Sequence, residues 1–247
     1  MKLDTVILSS NENQDYLGFW PIVSKAWKMM GIEPILIYTG KEKVNLDGNI
    51  IYFDPKNFNS SFVAQNIRLL YPSILKNKTV IISDIDSLPL SRKYYLDSVK
   101  NISSNSFVIY RPKACPPNMI SIMWNAASSK TWNEVFKVDS EKEIYKKLKK
   151  WYSSSYSPQG KAWYTDQIQL RKNINKFSKK NFDRVIELDD DLIGFNRFNR
   201  TSLEKNYKEM KKQNIKFSDF HMPKPYERNK DLIDEVLKIH IESILKN

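Results

Sequence analysis

The chain has 247 residues, 41% of them hydrophobic, which is enough to build a buried core within a single domain. Its formal net charge of +12 favours an anionic partner, but the lysines are spread along the chain and no nucleic-acid-binding module is recognisable, so we expect no specific nucleic-acid partner. No apolar run approaches the ~20 residues of a membrane span, and Asp4 interrupts the only N-terminal stretch that could resemble a signal peptide.

The N-terminal part of the chain alternates between short apolar strands and helix-length segments. In chain order, this pattern predicts strands at 3–9, 34–38, 49–53, around Val80 and at 107–110, and helices at 16–30 and 60–75. Strands that alternate with helices form parallel sheets, because each helix carries the chain back to start the next strand at the same edge. We therefore predict the α/β class, with a central, mostly parallel sheet flanked by helices.

The strand around Val80 runs directly into two aspartates, Asp84 and Asp86, separated by Ile85. Because side chains alternate along an extended chain, both carboxylates project to one side while Ile85 points toward a core. Two carboxylates on one side repel unless a positive group lies between them, and their oxygens suit Mg²⁺ or Mn²⁺ at a strand end. The alternative interpretation is that both aspartates cap the turn before Pro89, and the tripeptide alone does not choose between the two.

After residue 110 the alternation weakens, and the pattern predicts helices at 131–136, 140–152, 163–176 and 231–245. The last helix is amphipathic, with Ile233, Leu237, Ile241 and Leu245 on one apolar stripe. This pattern favours core packing and also permits peripheral contact with a membrane.

The lone cysteine, Cys115, cannot form an internal disulfide and favours a reducing, cytoplasmic compartment. No repeat or linker divides the chain, so we predict one domain over residues 1–247.

The helix that precedes the two aspartates carries Gln65 and Arg68. Arginine offers planar, charge-assisted hydrogen bonds to a diphosphate that lysine cannot reproduce. The neighbours of Arg68 are almost all apolar, so its charge lies on a largely buried segment and needs a partner. A surface ion pair on an amphipathic helix is the alternative explanation for Arg68.

Taken in order, these segments resemble the GT-A fold glycosyltransferases over almost the whole chain, with Asp84-Ile85-Asp86 as their acidic DxD motif. The resemblance implies transfer of a sugar from a nucleotide-diphosphate donor, with Mn²⁺ or Mg²⁺ held at the two aspartates. Residues 1–110 would then bind the nucleotide, and residues 111–247 would bind the sugar and the acceptor. The donor-binding residues implied are Ser9, Asn11, Gln65, Arg68 and Asp84.

Two stretches of the second half resemble sugar-binding motifs of the same enzymes. Met123-Trp124-Asn125-Ala126-Ala127 is similar to the Phe-Asn-Ala-Gly stretch of retaining members, with alanine in place of glycine. Trp163-Tyr164-Thr165-Asp166-Gln167 is similar to an Asp-Gln pair that opens a helix beneath the donor sugar. The resemblance implies that Asn125, Asp166 and Gln167 act at the sugar. A turn asparagine and a helix N-cap are the alternatives for Asn125 and Asp166.

The stretch from Asp219 to Tyr226 resembles the His…Lys-Pro-Trp motif of the glycogenin-like, retaining branch, which we group with lipooligosaccharide galactosyltransferases. The resemblance implies that His221 completes the metal site and that Lys224 contacts the diphosphate. An imidazole ligand shifts the preference from Mg²⁺ toward Mn²⁺. The alternative for His221 is a loop histidine paired with Asp219. Together with Asn125 and Asp166, these residues favour a retaining over an inverting reaction.

Two other functions remain open from the sequence. A haloacid-dehalogenase-like phosphohydrolase also places two aspartates one residue apart at a strand end, although Leu88 stands where that family has threonine or valine. A non-catalytic basic module that binds an anionic partner is the second. For the transferase we expect a glycan, glycolipid or glycoprotein acceptor, and the sequence fixes neither the sugar nor the linkage.

Overall fold

A computed structural model describes residues 1–212 and 216–245 of the chain. Most predicted strands of the first half are present within two residues of their expected bounds. The strands, in chain order, are β1 (Thr5–Ser10), β2 (Glu33–Tyr38), β3 (Asn49–Tyr52), β4 (Thr79–Ile82), β5 (Ser87–Pro89), β6 (Phe107–Tyr110), β7 (Asn125–Ser128), β8 (Val185–Leu188), β9 (Asn196–Asn199) and β10 (Phe217–His221).

The helices flank this strand framework, and short 3-10 turns follow two of the elements, at Tyr71–Ile74 after the third helix and at Arg200–Ser202 after β9. In chain order the α-helices are α1 (Gln14–Leu17), α2 (Trp20–Met29), α3 (Ser60–Leu70), α4 (Ser129–Phe136), α5 (Glu141–Trp151), α6 (Thr165–Ser178), α7 (Asp190–Ile193), α8 (Leu203–Lys211) and α9 (Tyr226–Leu245).

Seven strands form the central sheet in the order β3-β2-β1-β4-β7-β6-β8. β1 runs parallel to β2 and β4, β2 to β3, and β6 to β8, whereas β7 runs antiparallel to both of its neighbours. The predicted α/β class with a central, mostly parallel sheet is therefore confirmed. Because β1 and β4 are parallel neighbours, Ser10, the last residue of β1, and Asp84, two residues after β4, lie at the same edge of the sheet.

A second sheet of three strands, in the order β5-β10-β9, lies beyond this edge. β10 pairs antiparallel with β5, which places His221 opposite Ser87, the residue after Asp86. It pairs in parallel with β9, which places His221 opposite Asn199. The small sheet therefore brings together three chain segments that are far apart in sequence.

Apolar side chains cover both faces of the central sheet. Along β1 and β4, Val6 and Ile81 belong to one buried layer, whereas Ile7 and Val80 belong to the other. All four are fully buried, which is the pattern expected of central strands in a sheet covered by helices on both sides. The core thus fixes the register that carries the ends of β1 and β4 to a common edge.

Several local predictions differ from the structure. The helix predicted at 16–30 is divided into α1 and α2 around Gly18 and Phe19, and the helix predicted at 60–75 changes to a 3-10 turn at Tyr71, because Pro72 lacks the amide hydrogen that an α-helix needs. Asn125 begins β7 rather than a turn, because its segment is drawn into the buried sheet between β4 and β6.

The terminal helix packs on the core as its stripe predicts. Ile233 is fully buried, Leu237 is buried, and Ile241 packs partly buried against the same core. The side chain of Leu245, the last member of the predicted stripe, lies outside the described residues.

Within residues 1–212 and 216–245, no helix has the length and apolar character needed to cross a membrane.

Removing the buried aromatic ring of Phe136, the last residue of α4, should destabilise the fold. Phe136 is fully buried, and its ring lies 5.8 Å from that of Trp132, centroid to centroid. We expect Phe136→Ala to lower the free energy of unfolding by about 3–5 kcal/mol in urea denaturation, because the cavity cannot refill. The matched control is Phe182→Ala, whose ring is 83% exposed and whose loss should change stability by less than about 0.5 kcal/mol. Equal losses in the two variants would contradict the described core.

Candidate functional site

A cavity of about 430 Å³ opens at the edge where β1 and β4 end. Its wall is formed by the loop after β1, the buried side of α3, the Asp84–Asp86 segment, the start of α6, and the ends of β9 and β10. Most of the predicted site residues line it, and these are Ser9, Asn11, Gln65, Arg68, Asp84, Asp86, Asp166, Gln167 and His221.

The guanidinium of Arg68 lies at the centre of one wall. Asn59 caps α3 by accepting hydrogen bonds from the Ser61 and Phe62 amides, and Arg68 follows in the last turn of the helix. Arg68 is 8% exposed and forms ion pairs with Asp84 and, at 3.3 Å, with Asp166. Burial alone would lower the pKa of Arg68, but these two carboxylates raise it above its usual value, so the side chain stays charged.

Asp166 is the most deeply buried carboxylate in the cavity wall, with 2% exposure. It is the second residue of α6, not its N-cap, which is Tyr164. One oxygen of Asp166 accepts from the Gln167 amide at 2.8 Å, and the other faces Arg68. Burial raises the pKa of Asp166 to about 6, although Arg68 and the Gln167 amide both oppose this rise.

Asp86 also lines the cavity, where the small sheet assembles its neighbours. Its Oδ2 lies 3.5 Å from Nε2 of His221 and 3.1 Å from Nη1 of Arg200. Burial alone would raise the pKa of Asp86, but His221, then Arg200 and Lys224, lower it to about 2. Asp86 is therefore ionised at neutral pH although it is only 6% exposed.

The predicted nucleotide-contacting residues are held by hydrogen bonds to α3. Ser9 donates to the carbonyl of Ala64, and the Asn11 amide donates to the hydroxyls of Ser60 and Ser61 at 3.1 and 3.0 Å. Gln65 accepts a hydrogen bond from Tyr156 at 2.8 Å. The contacts of Ser9 and Asn11 fix the end of β1 against the helix.

Two predicted residues are not among the described residues that line the cavity. Asn125 is fully buried, and its amide donates to the carbonyls of Ser121 and Ile122 at 2.8 and 3.1 Å, so it supports a loop that does line the cavity. Lys224 donates to the hydroxyl of Tyr16 at 2.6 Å, and the Tyr16 ring stands in the wall. Asn125 and Lys224 therefore contact residues that line the cavity but do not line it themselves.

The three predicted metal ligands do not form a closed cluster. In the described part of the chain, no group of three or more histidine, cysteine, aspartate or glutamate side chains is gathered as a metal site requires. Asp86 and His221 do face each other, but Asp84 is turned to Arg68. Each of the two DxD carboxylates thus has an arginine partner, which supplies positive charge where the sequence predicts a cation.

Sequence reasoning missed Arg200 and Tyr16, both of which line the cavity. Arg200 follows an edge strand whose short sequence shows little alternation, and Tyr16 lies in a one-turn helix. Asp219, the predicted partner of His221 in the alternative interpretation, is instead fully buried between Arg111 and Arg197. Only the pairing of β10 with β5 and β9 reveals which neighbours His221 has.

Two solved glycosyltransferase structures are similar to this structure over nearly the whole chain. The galactosyltransferase LgtC, crystallised with donor and acceptor sugar analogues, aligns over 96% of this chain and 95% of its own, with 14% identity and a TM-score of 0.51. The apo form of the glycosyltransferase GlyE from Streptococcus pneumoniae TIGR4 aligns over 100% of this chain, with 12% identity and a TM-score of 0.52. This chain spans 64% of the length of GlyE.

No protein-family model matches the sequence, and a search of curated proteins found no match. At 12–14% identity the structural likeness establishes the fold alone. The chain therefore has a GT-A glycosyltransferase fold, as the resemblance in its motifs implies. The residues that line the cavity are the basis for inferring the function of the protein.

The raised pKa of Asp166 predicts how stability depends on pH. The pKa is about 6 in the folded chain against 3.8 for a free aspartate, so the folded state holds this proton more tightly. The stability that this proton contributes is therefore fully present below pH 3.8 and is lost as the pH rises through about 6, by roughly 3 kcal/mol in total.

Urea denaturation of the wild type and of Asp166→Asn from pH 4 to 7 tests this linkage. We expect the stability of the wild type to fall relative to that of the variant as pH rises. Asp183→Asn, which removes an exposed carboxylate, should follow the wild type at every pH. Parallel curves for the wild type and Asp166→Asn would show that Asp166 is not the buried acid described.

Proposed function

We propose that the protein transfers a sugar from a nucleotide-diphosphate donor to an acceptor hydroxyl. The observation that carries this proposal is one cavity whose wall combines Arg68, Asp84, Asp86, Asp166 and His221. These residues come from four separate chain segments and meet at the carboxyl ends of parallel strands, where α/β sheets place their ligands. The volume of the cavity, about 430 Å³, is in the range of small-molecule sites.

The donor would lie in this cavity, among its charged side chains. The end of β1, with Ser9 and Asn11, would contact the nucleotide, because both side chains are fixed against α3 and line the cavity. Gln65 stands on the same wall. Asp166 and Gln167 would contact the sugar, because carboxylate and amide groups match the hydroxyls of a polyol. LgtC, which has the same fold, was crystallised with donor and acceptor sugar analogues.

The cavity offers ligands for a divalent cation. Asp86 and His221 face each other at 3.5 Å, and Asp84 also lines the cavity. Cations of this kind are bound through one or two carboxylates together with substrate phosphates, so a closed three-ligand cluster is not needed before the donor arrives. The imidazole favours Mn²⁺ over Mg²⁺. A bound cation would offset the negative charge that develops on the departing diphosphate.

The protein's own groups supply the remaining steps. Arg68 holds Asp84 and Asp166 in place, so the carboxylate under the sugar cannot rotate away. Lys224 lowers the pKa of Asp86 through its charge and lies behind Tyr16, which places positive potential beside the leaving diphosphate. Burial of Asp86 and Asp166 strengthens each of these interactions, because few water molecules screen them.

The carboxylates favour a retaining reaction. An inverting transferase needs a carboxylate base at the acceptor hydroxyl. Among the described residues that line the cavity, the carboxylates are Asp84, Asp86 and Asp166, and each is bonded to an arginine. Each of them would have to leave its arginine partner to act as that base, and this is why we favour retention. We further propose a glycan, glycolipid or glycoprotein acceptor, reached in the cytoplasm or at the periphery of a membrane.

The sharpest test of this function is the response of thermal stability to nucleotide and metal. The wild type should gain stability from one member of a panel of nucleoside diphosphates only when Mn²⁺ is present, by about 2.7 kcal/mol at 100 times the dissociation constant. Asp86→Ala should lose this gain, because it removes the carboxylate that faces His221.

Asp183→Ala, an exposed aspartate outside the cavity wall, is the matched control and should behave like the wild type. If Asp86→Ala responds to Mn²⁺ and nucleotide as the wild type does, the proposed site is wrong. A wild type that ignores nucleotides and instead binds nucleic acid with a steep salt dependence would be a basic binding module.

The stereochemistry of the reaction gives a second test. Slow donor hydrolysis with Mn²⁺ across a panel of nucleotide sugars should release, from the accepted donor, a sugar of the same anomeric configuration, since no base is placed for direct displacement. Proton NMR during the first minutes, before the anomers equilibrate, distinguishes the outcomes. Release of the opposite anomer would contradict retention and require a base that the cavity wall does not show.

A further inference from the structure

Arg68 has little capacity left to bind a diphosphate. Its Nε donates to the Gln65 carbonyl at 3.2 Å, Nη1 to Asp84 and to the Ser83 carbonyl, and Nη2 to Asp166 at 3.3 Å. All three nitrogens are therefore engaged, and two carboxylates offset one positive charge. The sequence assigns Arg68 to the diphosphate, but the geometry makes it the holder of Asp84 and Asp166.

Arg200 is the other guanidinium in the cavity wall, and the small sheet places it there. It directly follows β9, whose last residue, Asn199, lies opposite His221 in the parallel pair with β10. The antiparallel pair of β10 with β5 brings Asp86 to the same place. The end of β9 therefore places Arg200 in the cavity wall beside Asp86.

Within residues 1–212 and 216–245, one nitrogen of Arg200 is engaged in hydrogen bonds. Nη1 donates to Asp86 at 3.1 Å and to the Met222 carbonyl at 3.2 Å. Among the described residues, neither Nε nor Nη2 has a hydrogen-bond partner. The side chain is 31% exposed and lines the cavity, so these two donors remain available to a ligand while Nη1 fixes the plane of the group.

We propose that Arg200 binds the diphosphate of the donor, an assignment that rests on the proposed function. A guanidinium held at one nitrogen loses little conformational entropy on binding and can still present two donors side by side to phosphate oxygens. Lys224, the cation that the sequence assigns to the diphosphate, is bonded to Tyr16 and is not among the described residues that line the cavity.

The pair with Asp86 gives Arg200 two opposing effects. Without donor, its positive charge lies on a carboxylate that a divalent cation would also use, so it disfavours binding of the cation alone. With donor present, the diphosphate lies between both positive groups and is attracted to each. Removal of the guanidinium should therefore tighten binding of the cation alone and weaken binding of the diphosphate.

Isothermal titration of the wild type and of Arg200→Ala, first with Mn²⁺ alone and then with the preferred nucleoside diphosphate at saturating Mn²⁺, tests this assignment. We expect Arg200→Ala to bind the diphosphate about 10- to 100-fold more weakly, the usual effect of losing a charged hydrogen bond. Its affinity for Mn²⁺ alone should rise. The corresponding nucleoside without phosphates should show no difference between the two proteins.

Unchanged diphosphate affinity in Arg200→Ala would overturn the assignment. A parallel loss of Mn²⁺ and diphosphate affinity would also overturn it, because Arg200 would then only position Asp86. Failure of the wild type to bind any nucleoside diphosphate would instead refute the proposed function itself. Arg92→Ala, which removes an exposed arginine outside the cavity wall, controls for the loss of net charge.

Arg200→Gln provides a second variant if Arg200→Ala does not fold. Its side chain keeps a polar amide that can donate hydrogen bonds, although it is shorter than arginine, while the positive charge is lost. The same opposite changes in Mn²⁺ and diphosphate affinity are expected. An Arg200→Gln protein with wild-type affinity for the diphosphate would refute the role of the charge.

Discussion

The buried guanidinium of Arg68 ties the two halves of the cavity together. It joins Asp84, at the end of a central strand, to Asp166, at the start of α6, which is 98 residues away from Arg68 in the chain. A charge that is 8% exposed needs partners, and losing both carboxylates would leave an uncompensated charge in the wall. The start of α6 is therefore held against α3 by electrostatics as well as by packing, and every sugar-contacting role proposed for Asp166 depends on this pair.

The second constraint is the small sheet. Its strand pairs bring Asp86, Arg200 and His221 together, although none of these segments is adjacent in sequence. The sheet is anchored beneath by Asp219, which is fully buried, accepts from Ser87 and pairs with Arg197. Because this network lies under the strands, the positions of the three cavity residues are coupled, and a change in one strand register would move all of them.

The sequence predicted the first half of the fold well, because β1, β2 and β4 are short apolar runs in a fully covered sheet. Asp84 and Asp86 are predicted from a pattern of carboxylates after an apolar strand, and Asp166 from the resemblance of its stretch to a sugar-binding motif. All three line the cavity. Arg200 and the true setting of Asn125 were missed for one reason. Both depend on edge or antiparallel pairing between distant segments, for which the local pattern of four residues holds no register information.

The balance of charge in the cavity explains why donor and cation would bind together. Asp84 and Asp166 are matched by a single arginine, Arg68, and Asp86 is matched by Arg200. A divalent cation alone would be repelled by Arg200, which pairs with Asp86, the carboxylate that the cation would use. A diphosphate alone would be repelled by the three carboxylates. Bound together, they place negative charge between the cation and Arg200 and add little net charge to a wall that is already nearly neutral. The proposed order is therefore joint binding, with Asp86 shared between the metal and Arg200.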